Sequence, residues 1–175
     1  KEITVTILNK EKVYDGEAPE AGSTQTTDWS VDTGAIVGKD DLGITLTVEE
    51  SKASVGDYQI TGKADNGNYK VTFAGENSQN DYGVYTVTAR PISVKIGNAS
   101  GIYGDTPDMS YGTGKIELTD TTASDEGIVA DENIYSVLTD LELTTDATNT
   151  SAVGNGYIIS ATGGTGDNGN IYGNY

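Results

Sequence analysis

The 175 residues carry 10 Lys and Arg against 27 Asp and Glu, a net charge of −17 shared by residues 1–90 (eight cations, fifteen carboxylates) and 91–175 (two cations, twelve carboxylates). Such a surface lacks the cations that neutralise phosphate, which argues against nucleic acid or an anionic membrane surface as partner, and the lack of Cys excludes disulfide and thiolate chemistry. Hydrophobic content is only 35% with 23 Gly, yet the β-branched and aromatic residues fall in short alternating runs, so the chain reads as folded, turn-rich and mostly β. No apolar run approaches the roughly 20 residues needed to cross a bilayer, so no membrane insertion is expected.

In chain order, Ile3, Val5 and Ile7 alternate with threonines as a half-buried strand, and Tyr14 leads into Asp15-Gly16, residues suited to a tight corner. Residues 17–27 read as an irregular connection, followed by a weaker strand around Trp29 and Val31. Ile44, Leu46 and Val48 form the next alternating run. Tyr58 and Ile60 then precede Asn66-Gly67, which turns the chain into Tyr69, Val71 and Phe73, and a hairpin across Asn66-Gly67 is the economical reading. Tyr85 and Val87 mark the strand that closes this first module.

The pattern then restarts. Ile92, Val94, Ile96 and Tyr103 repeat Ile3, Val5, Ile7 and Tyr14 at a constant offset of 89, the mark of a tandem array. Modules are expected at 1–90 and 91–175. Between them Arg90-Pro91 replaces a linker; Pro91 is tolerated at the first residue of a strand and keeps Arg90 extended, which predicts an elongated, semi-rigid pair. In the second module Ile134, Val137, Leu138 and Leu141 fall at helical spacing with Asp131 placed to cap; two short strands over the same residues are the alternative. GYIIS matches DYQIT, and Asn174-Tyr175 matches Asn68-Tyr69. No counterpart of KVTF or YTVTAR follows, so the second module is expected to be incomplete, frayed or completed by strand exchange between copies at its C-terminus.

These residues resemble the MBG-type repeats of large bacterial surface proteins and adhesins: Tyr14-Asp15-Gly16 and Tyr103-Gly104-Asp105 at the opening corner, Val55, Gly56, Tyr58 and Ile60 in the middle, Asn68, Tyr69, Val71 and Phe73 after it, then Gly83, Tyr85 and the run to Pro91, with Tyr157 as the second module's middle tyrosine. The resemblance implies a secreted, multi-repeat bacterial protein with β-grasp-like modules near the mucin-binding repeats, and no catalytic residues. The expected fold class is mainly β, two tandem β-rich modules with at most one short helix each; an immunoglobulin-like sandwich is the alternative.

The pairs Asp40-Asp41, Glu49-Glu50, Asp125-Glu126 and Asp131-Glu132 are adjacent acids, which on a strand point to opposite faces and do not make the facing carboxylates of a glycosidase. Calcium is the one cofactor worth weighing, at Asp167 in the run GGTGDNGN, against a plain turn. An internal Lys-to-Asn bond has no identifiable residues. Tyr58, Tyr69 and Tyr85 sit at alternation positions and read as core, whereas Trp29, in a polar region, is the candidate ligand contact.

The expected function is a non-catalytic spacer or stalk segment of a bacterial adhesin, at the cell surface and anchored through segments outside these residues, with further repeats of the same chain as neighbours. The alternatives are a module that binds host glycan or protein and an accessory domain of a secreted carbohydrate-active enzyme.

Overall fold

Alternation decides the first strand. Ile3, Val5 and Ile7 are buried on one side of β1 (Glu2–Ile7), and Glu2 and Thr4 face water on the other. The computed structural model describes residues 1–175 except 33, 78, 123–125, 139 and 164–173, and divides into two units, Lys1–Thr88 and Ala89–Tyr175. It is mainly β, with one short helix among the described residues.

In unit one the chain changes sheet after β1. That strand lies in a three-stranded sheet between β3 (Trp29–Val31), antiparallel to it, and β6 (Lys70–Gly75), parallel to it. Past Leu8 and Asn9 the chain enters a second, four-stranded sheet ordered β2-β7-β5-β4, formed by β2 (Lys10–Val13), β4 (Thr45–Val48), β5 (Gly56–Lys63) and β7 (Gly83–Thr88). Here β2 and β7 are parallel, and the other two pairings antiparallel. Asn9 pins the crossing: its amide donates to the Glu76 carboxylate at 2.9 Å, and its side-chain oxygen accepts the Val84 amide at 2.8 Å.

One core lies between these sheets. Ile3, Val5, Ile7, Trp29, Val71 and Phe73 come from the first sheet, Leu46, Val48, Ile60 and Tyr85 from the second, with Leu42 and Ile44 from the segment before β4. Burial of each large side chain contributes about 1.5–3 kcal/mol. Two glycines set how closely the sheets approach. A Cβ on Gly62 would lie 2.5 Å from the Phe73 ring, and one on Gly83 would lie 2.6 Å from Cγ2 of Ile7.

The hairpin expected across Asn66-Gly67 does not form. The turn exists, with the Asn68 amide on Oδ1 of Asn66 at 3.0 Å and the Tyr69 amide on its carbonyl at 3.1 Å. The strands it joins do not pair: β5 bonds β4 and β7, and β6 bonds β1 in the other sheet. With Phe73 seated over Gly62, these strands face one another across the core. The adjacent antiparallel pair in the chain is β4 with β5.

Unit two repeats this plan in part. β8 (Val94–Ile96) pairs antiparallel with β9 (Leu118–Asp120), matching Val94 to Asp120 and Ile96 to Leu118. Shifted by 89 these are the unit-one matches of Val5 with Val31 and Ile7 with Trp29. β10 (Glu142–Thr145) and β11 (Ile159–Thr162) pair as β4 and β5 do, with buried Leu143 in the place of buried Leu46. β8 begins at Val94, and Pro91 precedes it outside any strand.

The helical spacing gives one turn, α1 (Ile134–Val137), and the chain then enters β10. Its cap is Asn133 and not Asp131, with Oδ1 of Asn133 accepting the Tyr135 amide at 2.9 Å. The helix starts later than the spacing alone implied, so Asp131 stands too far upstream to reach the first-turn amides. Leu118, Val137 and Leu138 form the buried centre of this unit, with Tyr111 and Tyr135 stacked at 6.4 Å between ring centroids.

Candidate functional site

The most developed polar constellation is a phenol latch, present once in each unit. In unit one the buried Tyr69 hydroxyl accepts the Val37 amide at 2.9 Å and donates to Oδ2 of Asp40 at 2.9 Å. In unit two the Tyr175 hydroxyl accepts the Val129 amide at 2.9 Å and donates to the Glu132 carboxylate. The receiving turns also match, since the Asp40 amide bonds the Val37 carbonyl and the Glu132 amide bonds that of Val129. The preceding asparagines match as well: the main-chain nitrogen of Lys1 donates to the Asn68 carbonyl and that of Arg90 to the Asn174 carbonyl, both at 2.7 Å. Each phenol thus has its donor and acceptor satisfied inside the protein. The arrangement fixes a loop against the core and leaves no activated oxygen for chemistry.

Residues 3–79 match the family model of the MBG domain (YGX type). Residues 3–79 of the first unit are an MBG domain. Such domains are a non-catalytic module type, typical of repeats in bacterial surface proteins. Neither the curated proteins nor the solved structures contain a match to the chain.

Within the MBG domain the motif residues hold backbone. Tyr14 is 3% exposed and its amide bonds the Thr88 carbonyl at 2.9 Å, ending β2 against β7. Asp15 then accepts from the Glu17 amide at 3.0 Å and Nζ of Lys12 at 2.7 Å, while Gly16 takes a φ of 83°, a conformation that favours glycine. Desolvation by its neighbours raises the Asp15 pKa, but the Lys12 hydrogen bond, the Glu17 amide and the Lys12 charge outweigh it and hold the carboxyl below its ordinary range. Tyr58 is half-buried, its hydroxyl on the Ser54 carbonyl at 2.9 Å, and Tyr85 is half-buried against the core.

Trp29, expected as a ligand contact, is a core residue instead. It is 5% exposed, packed in the core, with its indole N–H on the Ser23 carbonyl at 3.1 Å. Its neighbours in sequence are polar, but pairing with Ile7 turns its ring inward.

In unit two the corresponding corner is open. Tyr103 is 66% exposed, Gly104 has a φ of 99°, and the Asp105 amide closes a turn on the Ile102 carbonyl at 3.1 Å. Tyr157 is also exposed, its hydroxyl on the Ala152 carbonyl at 2.7 Å. The structure therefore does not gather the motif tyrosines at one place. Asp167 and Asp125 lie outside the described residues. Among the described residues no three of His, Cys, Asp and Glu could hold a metal ion, and no helix is long and apolar enough to cross a membrane.

Two well-partnered carboxylates, the buried Asp28 and the half-buried Asp120, had no signal in the sequence. Asp28 pairs with Lys10 and accepts the Thr24 amide at 2.7 Å. Burial raises its pKa, but the Lys10 hydrogen bond, the Thr24 amide and the Lys10 charge outweigh that and hold it below the ordinary range. In unit two Asp120 gathers the Thr122 amide at 2.9 Å, the Thr122 hydroxyl and the Ile128 amide at 2.8 Å. Burial again raises its pKa; those bonds, with the Arg90 charge, lower it overall.

Proposed function

We propose that the chain is a structural repeat segment of a bacterial surface protein, a spacer in an adhesin attached to the cell through other parts of that protein. The observation that carries this reading is the latch built twice on the same plan, Tyr69 on Val37 and Asp40, Tyr175 on Val129 and Glu132. Residues spent on satisfying one another are the signature of a module that keeps its shape. A glycan array and a panel of host extracellular proteins test it: the expected result is no saturable binding, and a saturable signal would overturn the spacer role.

A module that binds host glycan or protein is the second reading, favoured by the exposed Tyr103 and Tyr157. It predicts a signal on the same array that Tyr103→Ala and Tyr157→Ala abolish without unfolding unit two.

A further inference from the structure

The two units differ in their sheet order, and one of the differences leaves a cleft. In unit one β7 lies between β2 and β5, parallel to the first and antiparallel to the second. In unit two the segments at those positions are 99–102, at offset 89 from β2, and the start of the 157–162 segment, aligned to β5 through Tyr58 and Tyr157. Between them is a cavity of about 750 Å³, lined on one side by residues that include Ala99, Ile102 and Tyr103 and on the other by Val153, Tyr157 and Ile159. The Gly104 amide on the Asn149 carbonyl, at 2.9 Å, bridges its two walls.

The backbone on that wall is turned the right way. Ile158 faces β10, its amide on the Asp146 carboxylate at 2.7 Å and its carbonyl accepting the Asp146 amide. Backbone groups alternate along an antiparallel strand, so those of Tyr157 and Ile159 face the opposite edge, the one that in unit one receives β7. No strand pairs with that edge among the described residues. Charge points the same way: Asp105 and Asp108 line the cavity, with no Lys or Arg among its described lining, and the strand that fills this place in unit one runs on into Arg90.

We propose that unit two is a strand acceptor, its cleft taking an extended polypeptide with the alternation of Gly83–Thr88 followed by a basic residue. The strand lies parallel to 99–102 and antiparallel to 155–159, with its central tyrosine between Ala99 and Tyr157, as Tyr85 lies between Lys10 and Tyr58. Backbone pairing supplies affinity and the alternate side chains supply specificity. This goes beyond the spacer reading and does not depend on it.

The probe is a dye-labelled peptide of residues 82–90, YGVYTVTAR, titrated into the 175-residue protein and followed by fluorescence anisotropy. Saturable one-to-one binding is expected, with amide exchange slowed at Tyr157 and Ile159. The peptide carrying Thr86→Pro should bind at least tenfold more weakly. The protein variant Ile159→Pro, which removes a cleft-facing donor and leaves the β10-facing groups of Ile158, should lose binding to a similar degree. If that variant fails to fold, the peptide arm decides alone. No binding, equal binding of both peptides, or amides at Tyr157 and Ile159 already protected in the protein alone would overturn the proposal.

Discussion

The same apolar triplet meets two environments. Ile3, Val5 and Ile7 are buried in unit one, whereas their counterparts Ile92, Val94 and Ile96 are half-buried in unit two, although both strands pair in the same register with the strand that follows. The difference lies on the other edge and face. In unit one β6 runs alongside β1 and the second sheet closes over it, and among the described residues of unit two no strand pairs with that edge of β8. Burial is therefore a property of the completed sheet and not of the strand's own sequence, and Tyr14 against Tyr103 makes the same point at the corner.

Mutations at matched positions test this, beginning with the largest effect. Ile7→Ala should cost unit one about 3 kcal/mol, because a fully buried side chain leaves a cavity, and Ile96→Ala should cost unit two clearly less. Trp29, the only tryptophan, reports unit one by fluorescence, and amide exchange at Thr119 and Thr144 reports unit two. Equal losses would sink the comparison. Next, Asp28→Ala should cost about 2–3 kcal/mol by leaving the Lys10 ammonium and the Thr24 amide without their acceptor. Its counterpart at offset 89, the exposed Glu117, should be replaceable by Ala with little change in a urea titration.

A pH series sharpens the same contrast. The Asp28 carboxyl titrates below the ordinary aspartate value of 3.8, so the stability it contributes is complete well above that value and is lost as pH falls through the lower, folded one. Asp28→Asn should reduce this acid limb for unit one, where Asp15 keeps its own share, and leave that of unit two, to which Asp120 contributes, in place. The smallest expected effect is at the latch. Tyr69→Phe and Tyr175→Phe each remove two hydrogen bonds and should cost about 1–2 kcal/mol in their own unit. A loss at one latch and none at the other would show that the two phenols are not equivalent.

The strands themselves were legible, because Ile3-Val5-Ile7 and Ile44-Leu46-Val48 alternate wherever one face is buried. Their partners were not. Asn66-Gly67 is a sound turn signal, but nothing local says that the strand after it crosses the core to pair with a strand 68 positions upstream, Glu2 with Lys70. Trp29 was misread for a related reason, since its burial follows from pairing with Ile7 and not from its polar neighbours. The latch was half legible: the two Asn-Tyr pairs are plain in the sequence, while Val37 and Asp40 sit in an irregular loop with no periodicity to mark them as receivers.

The parallel pairings of unit one have a mechanical consequence. Its opening strands, β1 and β2, lie beside the late strands β6 and β7 and run in the same direction. A pull on Lys1 and Thr88 in opposite directions would load those ladders along their length, so that the hydrogen bonds share the tension and must yield together instead of unzipping one at a time.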